Sequence, residues 1–160
     1  MTDRPNAFAD LDDSAERGSD REGFRSRGIT FGPRVGSERL GMSLYEVPPG
    51  QRSAPYHWHT ANEEMLITLR GTVSLRTPDG WRELPEGAVV AFPRGEPGAH
   101  QMRNDTSEPI RFLVVSEVRS PEVIAYPDSD KIGAREWDVT EGLRPNFRAS
   151  DAVDYWDGEE

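Results

Sequence analysis

The chain has 160 residues, a length that fits one ordinary domain, and its formal net charge is −10. An acidic surface repels phosphate backbones, so we expect no nucleic-acid partner. The absence of cysteine excludes disulfides and thiolate metal ligands. No apolar run approaches the roughly 18 residues of a membrane span, and the first 27 residues lack a signal-peptide core, so we expect a cytoplasmic protein without membrane contact.

The first segment, residues 1–27, is rich in Asp, Arg, Ser and Gly and contains few bulky apolar side chains. Such a segment buries too little apolar surface to order by itself. We expect a flexible N-terminal arm, or an arm that orders only against a partner.

Short β-rich runs separated by turn residues fill residues 28–121. Asp79-Gly80 is a hairpin signal between two of these runs, and Pro85-Glu86-Gly87 is a second tight reversal. No stretch has a sustained 3.6-residue apolar period, so the pattern predicts an all-β sandwich, barrel or jelly roll. The predicted runs are Gly28–Phe31, Leu40–Val47, Ala54–His59, Glu64–Arg70, Val73–Thr77, Trp81–Leu84, Ala88–Phe92, His100–Asn104 and Ile110–Val118.

The last segment, residues 122–160, intersperses aromatic side chains with Pro, Asp and Gly. Aromatic residues at this frequency favour an extended tail that lays its rings on the barrel or on a second subunit. Open sheets leave edges that need cover, so we also expect a homodimer. The aromatic residues are Tyr126, Trp137, Phe147, Tyr155 and Trp156.

The three histidines of the chain, His57, His59 and His100, are candidate metal ligands. Side chains two apart on a strand point to the same face, so His57 and His59 can bind one ion together. Glu64 follows after a short corner, and His100 must arrive from a later strand. Imidazole nitrogen and carboxylate oxygen suit divalent Fe, Mn, Ni, Cu, Co or Zn.

Glu63 is an alternative to Glu64, because adjacent residues of a strand point to opposite faces. Alternation groups Glu63 with Met65 and Ile67, the more apolar face, which favours Glu63 as the inward carboxylate. A strand that is covered on both faces weakens this argument, so the alternation leaves both residues open.

Two motifs resemble those of the cupin superfamily. His57-Trp58-His59, four residues, Glu64, six residues and Gly71 resemble the first cupin motif. Gly87, five residues, Pro93-Arg94-Gly95, four residues, His100, three residues and Asn104 resemble the second. The resemblance implies a double-stranded β-helix, and it implies that the metal ligands are His57, His59, Glu64 and His100.

The resemblance covers roughly residues 40–118, and the sequence departs from the usual spacing twice. Gly50 is followed by six residues before His57, where five is usual. Four residues separate Gly95 from His100, where two is usual, so the loop near the proposed metal that contains Glu96-Pro97-Gly98 is two residues longer than usual. We expect this addition to reshape the mouth of the pocket.

Five further residues are candidate pocket residues, and each also has an ordinary structural interpretation. Plain barrel core, exposed strand positions and a loop-starting Asn account for them equally well. They are Tyr45, Leu66, Phe92, Met102 and Asn104.

These observations predict a mononuclear metalloenzyme that acts on a small oxygen-bearing organic molecule. The resemblance fits dioxygenases, isomerases and decarboxylases alike, because a fold does not determine a reaction. No clear general base stands beyond the metal ligands, so the catalytic residues are unknown. The alternative is a cupin that binds or senses a small molecule without turnover.

Overall fold

The computed structural model describes residues 5–9, 11, 17–137 and 141–159. The described residues form strands joined by turns and short 3₁₀ helices, and they contain no α-helix. Within these residues, no helix has the length and apolarity needed to cross a membrane. The strands are β1 (Arg17–Ser19), β2 (Ser26–Thr30), β3 (Leu40–Val47), β4 (Trp58–His59), β5 (Glu64–Arg70), β6 (Val73–Thr77), β7 (Gly80–Leu84), β8 (Val89–Phe92), β9 (Gln101–Arg103), β10 (Ile110–Glu117), β11 (Glu122–Tyr126), β12 (Lys131–Arg135) and β13 (Asn146–Arg148).

Three sheets hold these strands. A six-stranded sheet has the order β1-β2-β3-β10-β5-β8, and a three-stranded sheet has the order β7-β6-β9. One cluster of buried apolar side chains draws on both sheets, with Leu66 and Phe112 from the first and Leu75 from the second. The third sheet has the order β13-β12-β11-β4. It combines three strands of the C-terminal segment with β4, the short strand that carries His59. The prediction of an all-β fold is confirmed.

The register of β5 decides which of its faces is the interior. Leu66 and Thr68 are buried, whereas Met65 is 40% exposed. Glu64 therefore lies on the interior face, and Glu63, which is exposed, does not. The more apolar face of β5, which favoured Glu63, is the outer face. This face carries apolar residues because it is itself partly covered, and Ile67 is half-buried there.

Part of the predicted N-terminal arm is built into the six-stranded sheet. Strand β1 pairs with β2, and β2 begins at Ser26, inside the predicted arm. Arg111 fixes an earlier segment, because its guanidinium donates to the Ala9 carbonyl at 2.8 Å and pairs with Glu46 at 2.7 Å. Residues 1–4, 10 and 12–16 of the predicted arm lie outside the described residues.

The segment predicted as an extended tail forms strands instead. Strand β11 pairs with both β12 and β4, so its backbone hydrogen bonds are made within the third sheet. Of the aromatic side chains predicted to pack, Tyr126 and Trp137 are half-buried. Tyr155 and Trp156 are 84% and 70% exposed, so they do not lie on the barrel of this chain.

Asn104 closes the turn between β9 and β10, and its side chain is fully buried. Its amide donates to the Val47 and Glu108 carbonyls, both at 2.8 Å, and its oxygen accepts two hydrogen bonds from Thr106. Asn104→Ala leaves several of these buried groups unpaired, at about 1–3 kcal/mol each before relaxation. We expect urea denaturation to give a free energy of unfolding lower by about 2–4 kcal/mol, whereas the exposed Asn146→Ala changes it by less than about 1 kcal/mol.

Candidate metal centre

Backbone pairing between two distant segments assembles the site. The His57 amide donates to the His100 carbonyl at 3.1 Å, and the His100 amide donates to the His57 carbonyl at 2.9 Å. His59 follows on β4, on the same side as His57, and Glu64 begins β5 after the intervening corner. These two backbone hydrogen bonds hold together two histidines that are more than forty residues apart in the sequence.

The four candidate ligands converge. The ligand atoms of His57, His59 and Glu64 all lie within 4.8 Å of one another. His100 Nε2 lies 3.2 Å from Glu64 Oε2, and His59 Nε2 lies 3.4 Å from the same oxygen. The His57 and His100 ring centroids are 4.6 Å apart. One carboxylate oxygen therefore stands among the three imidazoles.

The opposite ring nitrogen of each histidine faces an acceptor. His57 Nδ1 lies 2.8 Å from the Pro55 carbonyl, and His100 Nδ1 lies 2.9 Å from the Gly98 carbonyl. His59 Nδ1 lies 3.0 Å from a carboxylate oxygen of Glu122. A carbonyl or carboxylate only accepts, so each neutral imidazole carries its proton on Nδ1. The lone pair then resides on Nε2, and in His59 and His100 this atom lies 3.4 and 3.2 Å from Glu64 Oε2.

Burial and charge set the protonation of the site. Burial, followed by the charges of His100 and His59, lowers the pKa of His57 to about 3, so this ring is neutral near pH 7. Burial raises the pKa of Glu64, but the contact with His100 and the nearby histidine charges outweigh it and lower that pKa to about 2. Burial also lowers the pKa of His59, but Glu122 and Glu64 outweigh it and raise that pKa above its ordinary value.

His59 is the member of the cluster with the poorest hydrogen bonding. Both of its ring nitrogens are buried, and neither makes a hydrogen bond of good angular geometry with the described residues. We interpret the 3.0 Å approach of Nδ1 to Glu122 as a charge-assisted contact, because the distance is short and the Glu122 carboxylate is one of the groups that raise the pKa of His59. Nε2 has no comparably close partner among the described residues, since the nearest Glu64 oxygen is 3.4 Å away and also contacts His100.

A divalent cation fits this donor set. Three imidazole Nε2 lone pairs and one ionised carboxylate are the ligand types that such metals prefer. A cation among them would satisfy the buried Nε2 of His59 and the Glu64 oxygen that two rings share. Outer acceptors at every Nδ1 match the arrangement that commonly orients metal-binding histidines.

The cluster lines a cavity of about 650 Å³. Tyr45 and Met102, predicted as pocket residues, also line it. Phe92 lies behind the site and stacks on His100, with ring centroids 3.9 Å apart. Leu66 and Asn104 are not among the lining residues: Leu66 belongs to the core cluster, and Asn104 holds its turn.

Three residues of the C-terminal segment shape the site and were missed from the sequence. Glu122 contacts His59, Trp137 donates from Nε1 to Glu122 at 3.1 Å, and Tyr126 stacks on His57 with centroids 5.9 Å apart. All three line the cavity. The aromatic residues were noticed as packing residues, but nothing in the local sequence links Glu122 to a histidine sixty-three positions earlier.

The model of the Cupin domain family matches residues 43–116 of the chain. Among solved structures, this chain is similar to a cupin-superfamily sugar phosphate isomerase from Silicibacter pomeroyi. The TM-score is 0.76, with 26% identity, and the match covers 93% of this chain and 98% of that chain. A proposed sugar phosphate isomerase from Acidithiobacillus ferrooxidans has a TM-score of 0.73 and 26% identity over 82% of this chain and 80% of that chain. These similarities confirm the predicted double-stranded β-helix.

A curated relative is also similar in sequence. Auxin-binding protein 4 of Zea mays is 27% identical over 128 residues. The match covers 74% of this chain but spans only 61% of the length of that protein.

The three residues Glu96–Gly98 form a 3₁₀ helix whose last carbonyl is the Nδ1 acceptor of His100. Gly98 is buried, and a Cβ at this position would overlap the Pro93 carbonyl oxygen. We expect Gly98→Ala to lower the free energy of unfolding by about 1–3 kcal/mol, because the loop must shift to relieve the overlap. Urea denaturation measures the loss, and Glu96→Ala, an exposed change in the same turn, is the control. Equal stability of both variants would contradict the assigned role of Gly98.

Proposed function

We propose that one divalent transition-metal ion binds four side chains of this cupin-like barrel, His57, His59, Glu64 and His100. The observation that carries the proposal is the common orientation of the three imidazoles. Each has an acceptor at Nδ1. The Nε2 atoms of His59 and His100 lie 3.4 and 3.2 Å from one Glu64 oxygen, and a His57 ring nitrogen lies within 4.8 Å of the ligand atoms of His59 and Glu64. Three nitrogen ligands and one oxygen ligand leave positions open on a metal that prefers six.

The cavity around these ligands supports a small oxygen-bearing molecule as the substrate. A bound metal would supply Lewis-acid polarisation of a substrate oxygen. The protein would supply hydrogen bonds, because the lining contains the hydroxyl-bearing residues Thr30, Ser37, Ser43, Tyr45, Ser53, Ser116 and Tyr126. The Ser53 Oγ is buried without a hydrogen-bond partner among the described residues, and a ligand hydroxyl could provide one.

Among the reaction classes that the sequence left open, we favour isomerisation of a sugar or sugar phosphate. The two similar proteins named above are described as sugar phosphate isomerases, one of them as a proposed one. The Silicibacter pomeroyi protein aligns over nearly the whole of both chains. Arg144 also supports a substrate with an anionic group, because it is the only arginine or lysine among the cavity-lining residues that the structure describes.

A second candidate function is binding of a small molecule without turnover. The similarity to a plant protein that is named for binding favours it, although that match spans less than two thirds of the plant protein. The same metal and the same cavity would serve either function, so measured turnover separates the two.

The paired glutamates give a matched test of the metal site. Glu64→Gln removes the only carboxylate between the imidazoles, so we expect the metal content of purified protein to fall from about one ion per chain towards zero. Glu63→Gln makes the same chemical change at an exposed neighbouring position and should leave the content unchanged. Elemental analysis after loading with Fe(II), Mn(II), Ni(II) or Zn(II) measures both. Full metal content in Glu64→Gln, or none in the parent protein, would overturn the proposed site.

A panel of aldose and ketose phosphates, with the matching unphosphorylated sugars, tests the reaction class. We expect NMR spectra to record isomerisation by the metal-loaded protein and at least about a hundredfold slower isomerisation by His57→Ala, which lacks one proposed ligand. Saturable binding of a sugar without product would favour the second function. If no member of the panel binds or reacts, the assignment to sugars is wrong.

A further inference from the structure

Glu122 is a buried carboxylate that the metal site has not yet accounted for. It is only 2% exposed, and it opens β11, which pairs with the strand that carries His59. Its Oε1 lies 3.0 Å from His59 Nδ1 and accepts a hydrogen bond from the Asn62 amide at 3.2 Å. Its Oε2 accepts from Trp137 Nε1 at 3.1 Å. An ionised carboxylate that is removed from water needs several such donors. Two of these come from the segment that carries His59, and the third comes from Trp137, beyond β12.

The three histidines do not have equivalent partners. His57 and His100 each use the carbonyl of the residue two positions earlier, Pro55 and Gly98. His59 departs from this arrangement: the carbonyl two positions before it, that of His57, accepts the His100 amide in the bridge that assembles the site. The acceptor that faces His59 Nδ1 is instead the Glu122 carboxylate, which comes from β11.

We propose that Glu122 is a positioning residue that holds the His59 ring with its proton on Nδ1 and its Nε2 towards Glu64. Trp137 supports this role, because its Nε1 donates to Oε2, the Glu122 oxygen that does not contact His59. A carboxylate partner makes an imidazole a stronger donor than a carbonyl partner does. This inference rests on the proposed metal site and adds a residue that the two sequence motifs do not contain.

Zn(II) affinity tests this role. Competition with a chromophoric chelator gives a dissociation constant for the parent protein and its variants. We expect Glu122→Gln, which removes the charge but keeps the size, to raise this constant by roughly 10–100-fold. Trp137→Phe keeps the ring but removes the N–H donor to Glu122, so it should raise the constant by a smaller factor. Glu38→Gln is the control, because Glu38 is an exposed carboxylate that lines the same cavity.

The NMR spectrum of the Zn(II)-loaded protein provides a second readout, one that a purely structural role would not change. We expect the His59 Nδ1 proton to be protected and strongly downfield in the parent protein, and to move upfield in Glu122→Gln. The His57 and His100 protons, which bind backbone carbonyls, should keep their positions.

The outcomes distinguish this inference from the proposed function. A parent protein that binds no Zn(II) refutes the metal site itself. A parent protein that binds Zn(II) tightly, with equal affinity in Glu122→Gln and an unmoved His59 proton, refutes the positioning role alone. If Glu122→Gln does not fold, Trp137→Phe decides, because unchanged affinity and an unmoved His59 proton in that variant contradict the proposed role.

Discussion

The structure of the site depends on where each imidazole places its Nδ1 proton. Two of the acceptors are backbone carbonyls, so the loop before His57 and the 3₁₀ helix before His100 must keep their shape for the rings to keep theirs. The segment Glu96–Gly98, which lies in the lengthened loop, is therefore part of the candidate site, since its last carbonyl faces His100 Nδ1 at 2.9 Å. Local backbone geometry here determines ligand orientation, and ligand orientation decides which nitrogen faces the cavity.

The electrostatics of the cluster explain why a cation belongs in it. Desolvation keeps His57 neutral, and the same burial would destabilise an uncompensated charge on Glu64. His59 stands between two carboxylates, Glu64 and Glu122, so it is drawn towards its charged form. A divalent ion held by His57, His59, Glu64 and His100 would supply a positive charge in place of that proton. The cluster would then be better satisfied as a ligand set than as a set of mutual hydrogen bonds.

Sequence patterns predicted the barrel well because its strands are short, β-rich and separated by strong turn residues. The runs Leu40–Val47, Glu64–Arg70 and Val73–Thr77 have the same bounds as β3, β5 and β6. Alternation failed at the corner before β5, because the outer face of that sheet is also apolar and partly covered, whereas motif spacing pointed to Glu64. The strand β1 was missed because its three residues, Arg17–Ser19, are polar or small and gain their order only by pairing with β2.

Glu122 shows a different limit of sequence reasoning. An acidic residue in a segment rich in Pro and Asp has no local mark of burial, and its role exists only once β11 pairs with β4. Because of that pairing, the residues that form the candidate site extend beyond residue 121, the predicted end of the barrel. A barrel that stopped at residue 121 would hold the four candidate ligands but would lack the acceptor for His59, the Trp137 donor behind it and the Tyr126 ring on His57. The C-terminal segment therefore supplies the acceptor for His59, whereas backbone carbonyls within the barrel segment, those of Pro55 and Gly98, serve His57 and His100.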